Sequence, residues 1–137
     1  PDRGAAVYEA KKCATCHIIG GRGGGLGPEL TTIGALRGPA SLRESVVAPE
    51  AVQATGYLVV RALRREGPET RGIRVAEDVF WIHIRDASGA LYSFEKKDLT
   101  SLERELGATL MPSYKSLLSS SELDDLVAYL ASLRGVR

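Results

Sequence analysis

Both cysteines of this chain fall in one pentapeptide, Cys13-Ala14-Thr15-Cys16-His17. A C-x-x-C-H pattern is an attachment site for c-type haem. Two thiols at this spacing add across the two vinyl groups of the porphyrin and form thioethers. The imidazole that follows directly is then aimed at the iron. A chain bound in this way has to wrap around a flat apolar disc, which constrains its fold more than any other feature does. Cys13 and Cys16 are therefore the expected thioether residues, and His17 the expected axial ligand.

Other uses of the two cysteines compete with this reading. A disulfide between residues three apart closes a very small loop and gives little chain-entropy stabilisation. A thioredoxin-like pair calls for a preceding strand in a βαβ pattern, and the segment before Cys13 does not look like one. A closed zinc site needs about four Cys and His ligands, and the one other histidine is His83.

The opposite face of a His-ligated haem iron takes Met, His or no protein ligand. The chain has one methionine, Met111, followed by Pro112, in a stretch with turn residues at both ends. Proline biases the residue before it away from helix, so Met111 is expected on an extended loop, where its thioether can reach a metal. Core filling is the commoner use of methionine. His83 competes for the same role. Strand alternation places Phe80, Ile82 and Ile84 on one face, and Trp81, His83 and Arg85 on the other. That sets His83 beside a charge, in a solvated or hydrogen-bonded position. Trp81 is expected to anchor packing.

Along the chain, residues 4–13 have helix-forming composition. Residues 18–28 contain six glycines and read as a loop, able to run close to a haem edge; a phosphate-binding loop is disfavoured because no Gly-Lys-Ser/Thr follows. A short helix fits Pro39 to Val47, with Ser41 as cap and Pro49 as stop. Strands are expected at 57–63, 70–76, 79–85 and 91–94, with turns at Gly67-Pro68 and Asp86–Gly89. Near the end, Ser119 with Glu122 and Ser121 with Asp124 both have a cap-like spacing. Leu123, Leu126, Val127, Leu130 and Leu133 share one helical face.

These landmarks together resemble a class I cytochrome c: Gly4-x-x-x-Tyr8, Cys13-x-x-Cys16-His17, Gly27-Pro28-Glu29-Leu30, Met111-Pro112 and a terminal helix with Tyr129. The resemblance is closest to the C-x-x-C-H haem-binding domains fused to large bacterial dehydrogenase-like proteins. The features carrying that likeness are Gly27-Pro28-Glu29-Leu30-Thr31-Thr32-Ile33-Gly34, then Pro49 to Gly56-Tyr57, then strands ahead of the methionine. It implies a mainly α cytochrome c fold with a small antiparallel β insertion before the methionine loop. Residues 1–137 would be a single cytochrome c domain, with 57–106 as an inserted β meander. It also implies that the Pro28 carbonyl accepts the second N–H of His17, a bond that orients the ring and tunes the iron. One covalently attached haem c would be held by His17 and Met111.

The expected activity is single-electron transfer between redox proteins, by a carrier and not an enzyme. A dehydrogenase or a terminal oxidase would suit as partner. The alternative is a haem-based sensor or gas-binding domain with a displaceable Met111. A peroxidase is disfavoured, since no second C-x-x-C-H and no histidine placed for acid–base work are present. Formal net charge is +1, and residues 57–106 hold nine basic and nine acidic side chains; no nucleic-acid footprint results. Lys11, Lys12 and Arg22 lie near the motif, where they either steer an acidic partner or serve as ordinary surface charge. No run of about 18 apolar residues predicts a transmembrane segment. The chain opens Pro1-Asp2-Arg3-Gly4 without a leader, and haem attachment normally follows export, so a periplasmic or extracytoplasmic location is expected.

Overall fold

The computed structural model describes residues 2–51 and 56–135. The chain divides into two compact units, one of Pro1–Val52 with Met111–Arg137 and the other of Gln53–Leu110.

In the first unit, helix α1 (Asp2–Ala10) ends earlier than its composition suggests. Lys12 turns the chain through a left-handed conformation, φ 59°, and a single 3-10 turn follows at Cys13–Thr15. Strands β1 (Ile18–Ile19) and β2 (Arg22–Gly23) make a minimal hairpin inside the expected loop. Its two turn residues, Gly20 and Gly21, both take positive φ (58° and 82°), which tight hairpins require and glycine tolerates. Helix α2 (Ile33–Leu36) is one turn long. Helix α3 spans Pro39–Val47 as expected, but Gly38 and not Ser41 is its N-cap residue. The Ser41 hydroxyl instead accepts hydrogen bonds from Arg37.

Helix α4 (Ser120–Ser132) starts at a complete capping box. The Ser119 hydroxyl accepts from the Glu122 N–H at 3.1 Å, and the Glu122 carboxylate accepts from the Ser119 N–H at 2.9 Å. Leu126, Val127 and Leu130 of α4 form a core with Leu42 and Val46 of α3 and Tyr8 of α1. Helices α1 and α4 cross at Gly4. A Cβ there would lie 2.0 Å from the Asp125 carbonyl oxygen and 2.5 Å from Tyr129 Cβ, so only glycine permits the approach.

The second unit is an antiparallel sheet of β3 (Val59–Arg64), β4 (Thr70–Glu77), β5 (Trp81–Asp86), β6 (Leu91–Glu95) and β7 (Leu99–Glu105). Strand order is β6-β5-β4-β3-β7, so the last strand returns to pair with the first. Val60, Ala62, Ile82, Ile84 and Phe94 form its core, with Leu99 and Leu102 packed against them.

This sheet corrects the expectation of a mainly α fold with a small β insertion. The chain is about 33% helix and 28% strand. Two causes are visible. Strand β7 does not alternate in sequence, because a register shift at Leu63/Arg64 lets Leu99 and Leu102, three residues apart, both reach the core. The helices are also short, with α2 one turn and α1 and α3 nine residues each. Residues 52–55, within the Pro49 to Gly56-Tyr57 stretch that carries part of the family resemblance, lie outside the described residues.

Candidate haem-binding site

The 3-10 turn at Cys13–Thr15 brings the motif into a tight bend. The amides of Cys16 and His17 both donate to the Cys13 carbonyl, at 3.2 and 3.1 Å. Both cysteines are free thiols in the protein chain, and each is half-buried. Burial raises the Cys13 thiol above its ordinary pKa, with the neighbouring Cys16 and Glu9 adding to the effect against its own backbone hydrogen bond.

The glycine-rich segment lies directly on this bend. Gly24 N–H donates to the Ala14 carbonyl at 2.9 Å, Gly27 N–H to the Cys16 carbonyl at 2.7 Å, and Leu30 N–H to the Ile18 carbonyl at 2.8 Å. A Cβ on Gly23 would lie 1.9 Å from the His17 carbonyl oxygen, and one on Gly24 2.0 Å from that of Thr15. These glycines therefore allow backbone to pack on backbone around the motif.

The imidazole of His17 is held from two sides. Its Nδ1 lies 2.7 Å from the Pro28 carbonyl oxygen. A carbonyl only accepts, so Nδ1 carries the proton and the Nε2 lone pair is left available to a metal. Burial lowers the ring's pKa, opposed by the Pro28 bond. Burial favours the neutral ring, the form that coordinates iron, and the Pro28 bond selects which nitrogen of that ring is free.

Cys13, His17 and Met111 line one cleft. Its apolar walls are Leu30, Val46, Leu126 and Leu130, with Tyr8 and Tyr114 completing it. The segment after Met111 is tied to the end of α3: Ser113 Oγ donates to the Val47 carbonyl at 2.5 Å and Tyr114 N–H to the Val46 carbonyl at 3.1 Å. Cys16 and Pro28 are outside the lining, the latter acting through its carbonyl. His83 belongs to the sheet unit, where it stacks on Trp81 with centroids 6.3 Å apart and its Nδ1 lies 2.7 Å from Ser93 Oγ. Trp81, expected as a packing anchor, is 39% exposed.

The residues fit haem in donor set and in lining. Two thiols at three-residue spacing, a neutral imidazole and a thioether accompany apolar walls. Tyr8 supplies a further sign. Its hydroxyl is buried without a hydrogen-bond partner among the described residues, and burial first, then Cys13, raises its pKa to about 12. A bound group with an acceptor would meet that demand. In the sequence Tyr8 stands only as a landmark of the family resemblance, and neither its hydroxyl nor Tyr114 is legible as part of the site. The one available signal for Tyr114 was an aromatic two residues after Pro112. Among the described residues, no three His, Cys, Asp or Glu side chains are grouped to hold a bare metal ion.

The fold and site together define a c-type haem protein. The family model for cytochrome c matches residues 1–78, more than half of the chain, and the chain belongs to the cytochrome c family. The match takes in Cys13, Cys16, His17 and Pro28 together with β3 and β4, and ends before Met111. No curated protein matches the chain. As a member of that family it is a haem- and iron-binding protein of electron transfer, with redox proteins as partners. Among the described residues, no helix is long and apolar enough to cross a membrane.

Proposed function

We propose that the protein is a monohaem carrier of single electrons, with Cys13 and Cys16 as thioether residues and His17 and Met111 as axial ligands. The observation that carries this reading is the convergence of Cys13, His17 and Met111 on one apolar cleft. Haem c would supply the one-electron ferric/ferrous chemistry. The chain's residues do the rest. His17 presents Nε2 because Pro28 occupies Nδ1. Met111 offers a soft, neutral sulfur, which favours the ferrous state and a relatively positive potential. Leu30, Val46, Leu126 and Leu130 keep water from the cleft and favour the lower-charge state in the same direction.

Residues 57–106 are, in this reading, an insertion within one cytochrome c domain of residues 1–137. Attachment of haem to a C-x-x-C-H motif follows export, which supports a periplasmic site of action. The partners are redox proteins such as a dehydrogenase or a terminal oxidase.

The test is the visible spectrum of the haem-loaded protein. The expected result is a thioether-to-iron band that Met111→Ala abolishes and carbon monoxide that binds the native ferrous protein slowly. A band unchanged in Met111→Ala overturns the ligand assignment. Rapid carbon monoxide binding by the native protein overturns the carrier reading in favour of a gas-binding domain. Mass spectrometry of the intact chain reads the number of attached groups, and any number other than one removes the monohaem assignment.

A further inference from the structure

The β4–β5 turn of the sheet unit combines three features that meet nowhere else among the described residues. The first is exposed apolar surface. Val79 and Phe80 are 80% and 71% exposed. Val75 stands out from β4 where the register shifts between Arg74 and Ala76; bulges of this kind re-aim a side chain. Trp81, the next residue, lies with His83 on the other face of β5 from Ile82 and from Glu77, which pairs with Ile82. Contiguous exposed apolar surface marks interaction sites.

The second feature is rigidity. The Asp78 carboxylate accepts the N–H groups of Phe80 and Trp81 at 2.8 and 2.7 Å, and Asp78 N–H donates to the Trp81 carbonyl at 2.9 Å. Lys96 N–H donates to the Phe80 carbonyl at 2.8 Å. The tip is thus fixed before any partner arrives, which lowers the entropy lost on docking.

The third feature is charge. Arg74, Lys96 and Arg104 converge on the single carboxylate of Glu77, with Arg74 at 3.0 Å and Lys96 at 2.6 Å. Glu77 is the most enclosed of the four, with a side chain 10% exposed. These residues, Asp78 and Val79 line a shallow cleft next to the tip. One buried carboxylate holds three cations in place, and the other acid, Asp78, is spent on backbone N–H groups. Each guanidinium keeps further N–H donors beyond its bond to Glu77.

We propose that this surface is a docking site for an acidic protein partner. One of the partner's carboxylates would take the free donors of Arg74 and Arg104, beside an apolar recess that receives Val79 and Phe80. Aromatic residues and arginines at the centre of a patch, framed by polar groups, are the composition of binding hot spots. Charge complementarity selects the acidic partner, because three cations share the one carboxylate of Glu77 while the Arg74 and Arg104 side chains stay 37% and 44% exposed. The proposal deepens the electron-carrier reading by giving it a partner surface, and rests on that reading only for the partner's redox role.

The test uses the haem-loaded chain and capped octapeptides of alternating glutamate and leucine, followed by the backbone N–H resonance of Val79, which lines the cleft. Saturable movement of that resonance is expected. It should weaken with added salt and be absent with a lysine–leucine peptide. Phe80→Ser, at an exposed position that does not threaten folding, and Arg104→Gln should each weaken binding at least about fivefold. An unmoved Val79 resonance, equal binding of the lysine peptide, or unchanged affinity in Phe80→Ser overturns the proposal. Docking that fails while the haem spectrum is normal counts against this surface alone. A missing thioether-to-iron band counts against the carrier reading alone.

Discussion

His17 and Pro28, eleven residues apart, meet through a 2.7 Å hydrogen bond from the imidazole Nδ1 to the proline carbonyl. The bond decides which ring nitrogen faces the cleft, and Gly27 makes it possible by lying against the ring. A Cβ on Gly27 would approach Cε1 to 2.7 Å and Nδ1 to 3.0 Å. Gly27→Ala therefore has to displace the imidazole or the loop. A stability loss of about 1–3 kcal/mol is expected, together with an altered haem spectrum. Denaturant unfolding and absorbance read the two effects, and a variant normal in both would show that the ring has room to move.

The crossing of α1 and α4 makes a similar demand. Gly4→Val would drive a branched side chain into the Asp125 carbonyl and Tyr129, and would part the Tyr8 and Tyr129 rings, whose centroids are 5.8 Å apart. The expected cost is at least about 2–3 kcal/mol, at the upper part of the overpacking range. Thermal unfolding of the haem-loaded protein measures it. An unshifted midpoint would mean that the helices do not cross at this point.

Legibility in the sequence followed how local each signal is. The motif is a pentapeptide and α3 is bounded by Pro39 and Pro49, so both could be read directly; the start of α4 offers two cap-like spacings, and the structure uses Ser119 with Glu122 rather than Ser121 with Asp124. The partnership of His17 with Pro28 came only through family likeness, since nothing in the spacing dictates it. Strand β7 was missed because its inward residues, Leu99 and Leu102, are three apart and resemble helical spacing. The irregularity that resolves this is one extra residue of β7, Thr100, opposite Leu63 and Arg64, and it shows only in the pairing with β3. The two-residue strands β1 and β2 are too short to show alternation. The exposure of Val75, at the end of the expected strand 70–76, and of Val79 and Phe80, at the start of 79–85, is not legible, because composition does not report which side of a sheet is covered.

The capping box of α4 is an independent test of local order. Ser119→Ala removes the hydroxyl that accepts from the Glu122 N–H, and Glu122 loses the partner that holds it in place. A loss of about 1 kcal/mol is expected. A smaller effect is expected from Ser119→Asp, which restores the acceptor. If alanine and aspartate variants unfold together, the cap contributes nothing to stability.

Glu77 gives a pH dependence whose sign follows from its surroundings. Burial alone would raise its pKa, but the hydrogen bonds from Lys96 and Arg74 and the charge of Arg104 outweigh burial and lower it. A folded-state value below the unfolded one means that the carboxylate stabilises the fold when ionised. Its contribution is complete above the unfolded value of about 4.3, and is lost as pH falls through the folded value. Glu77→Gln leaves Arg74, Lys96 and Arg104 facing one another without their anion. A destabilisation of about 1–3 kcal/mol is therefore expected near pH 7. The gap between parent and variant should narrow below about pH 4 as the parent's own carboxylate protonates. Trp81 lies in the same hairpin, and its near-ultraviolet dichroism follows unfolding of this sheet rather than of the helices. A gap of constant size from neutral to strongly acid pH would show that the three cations are held by something other than the Glu77 charge.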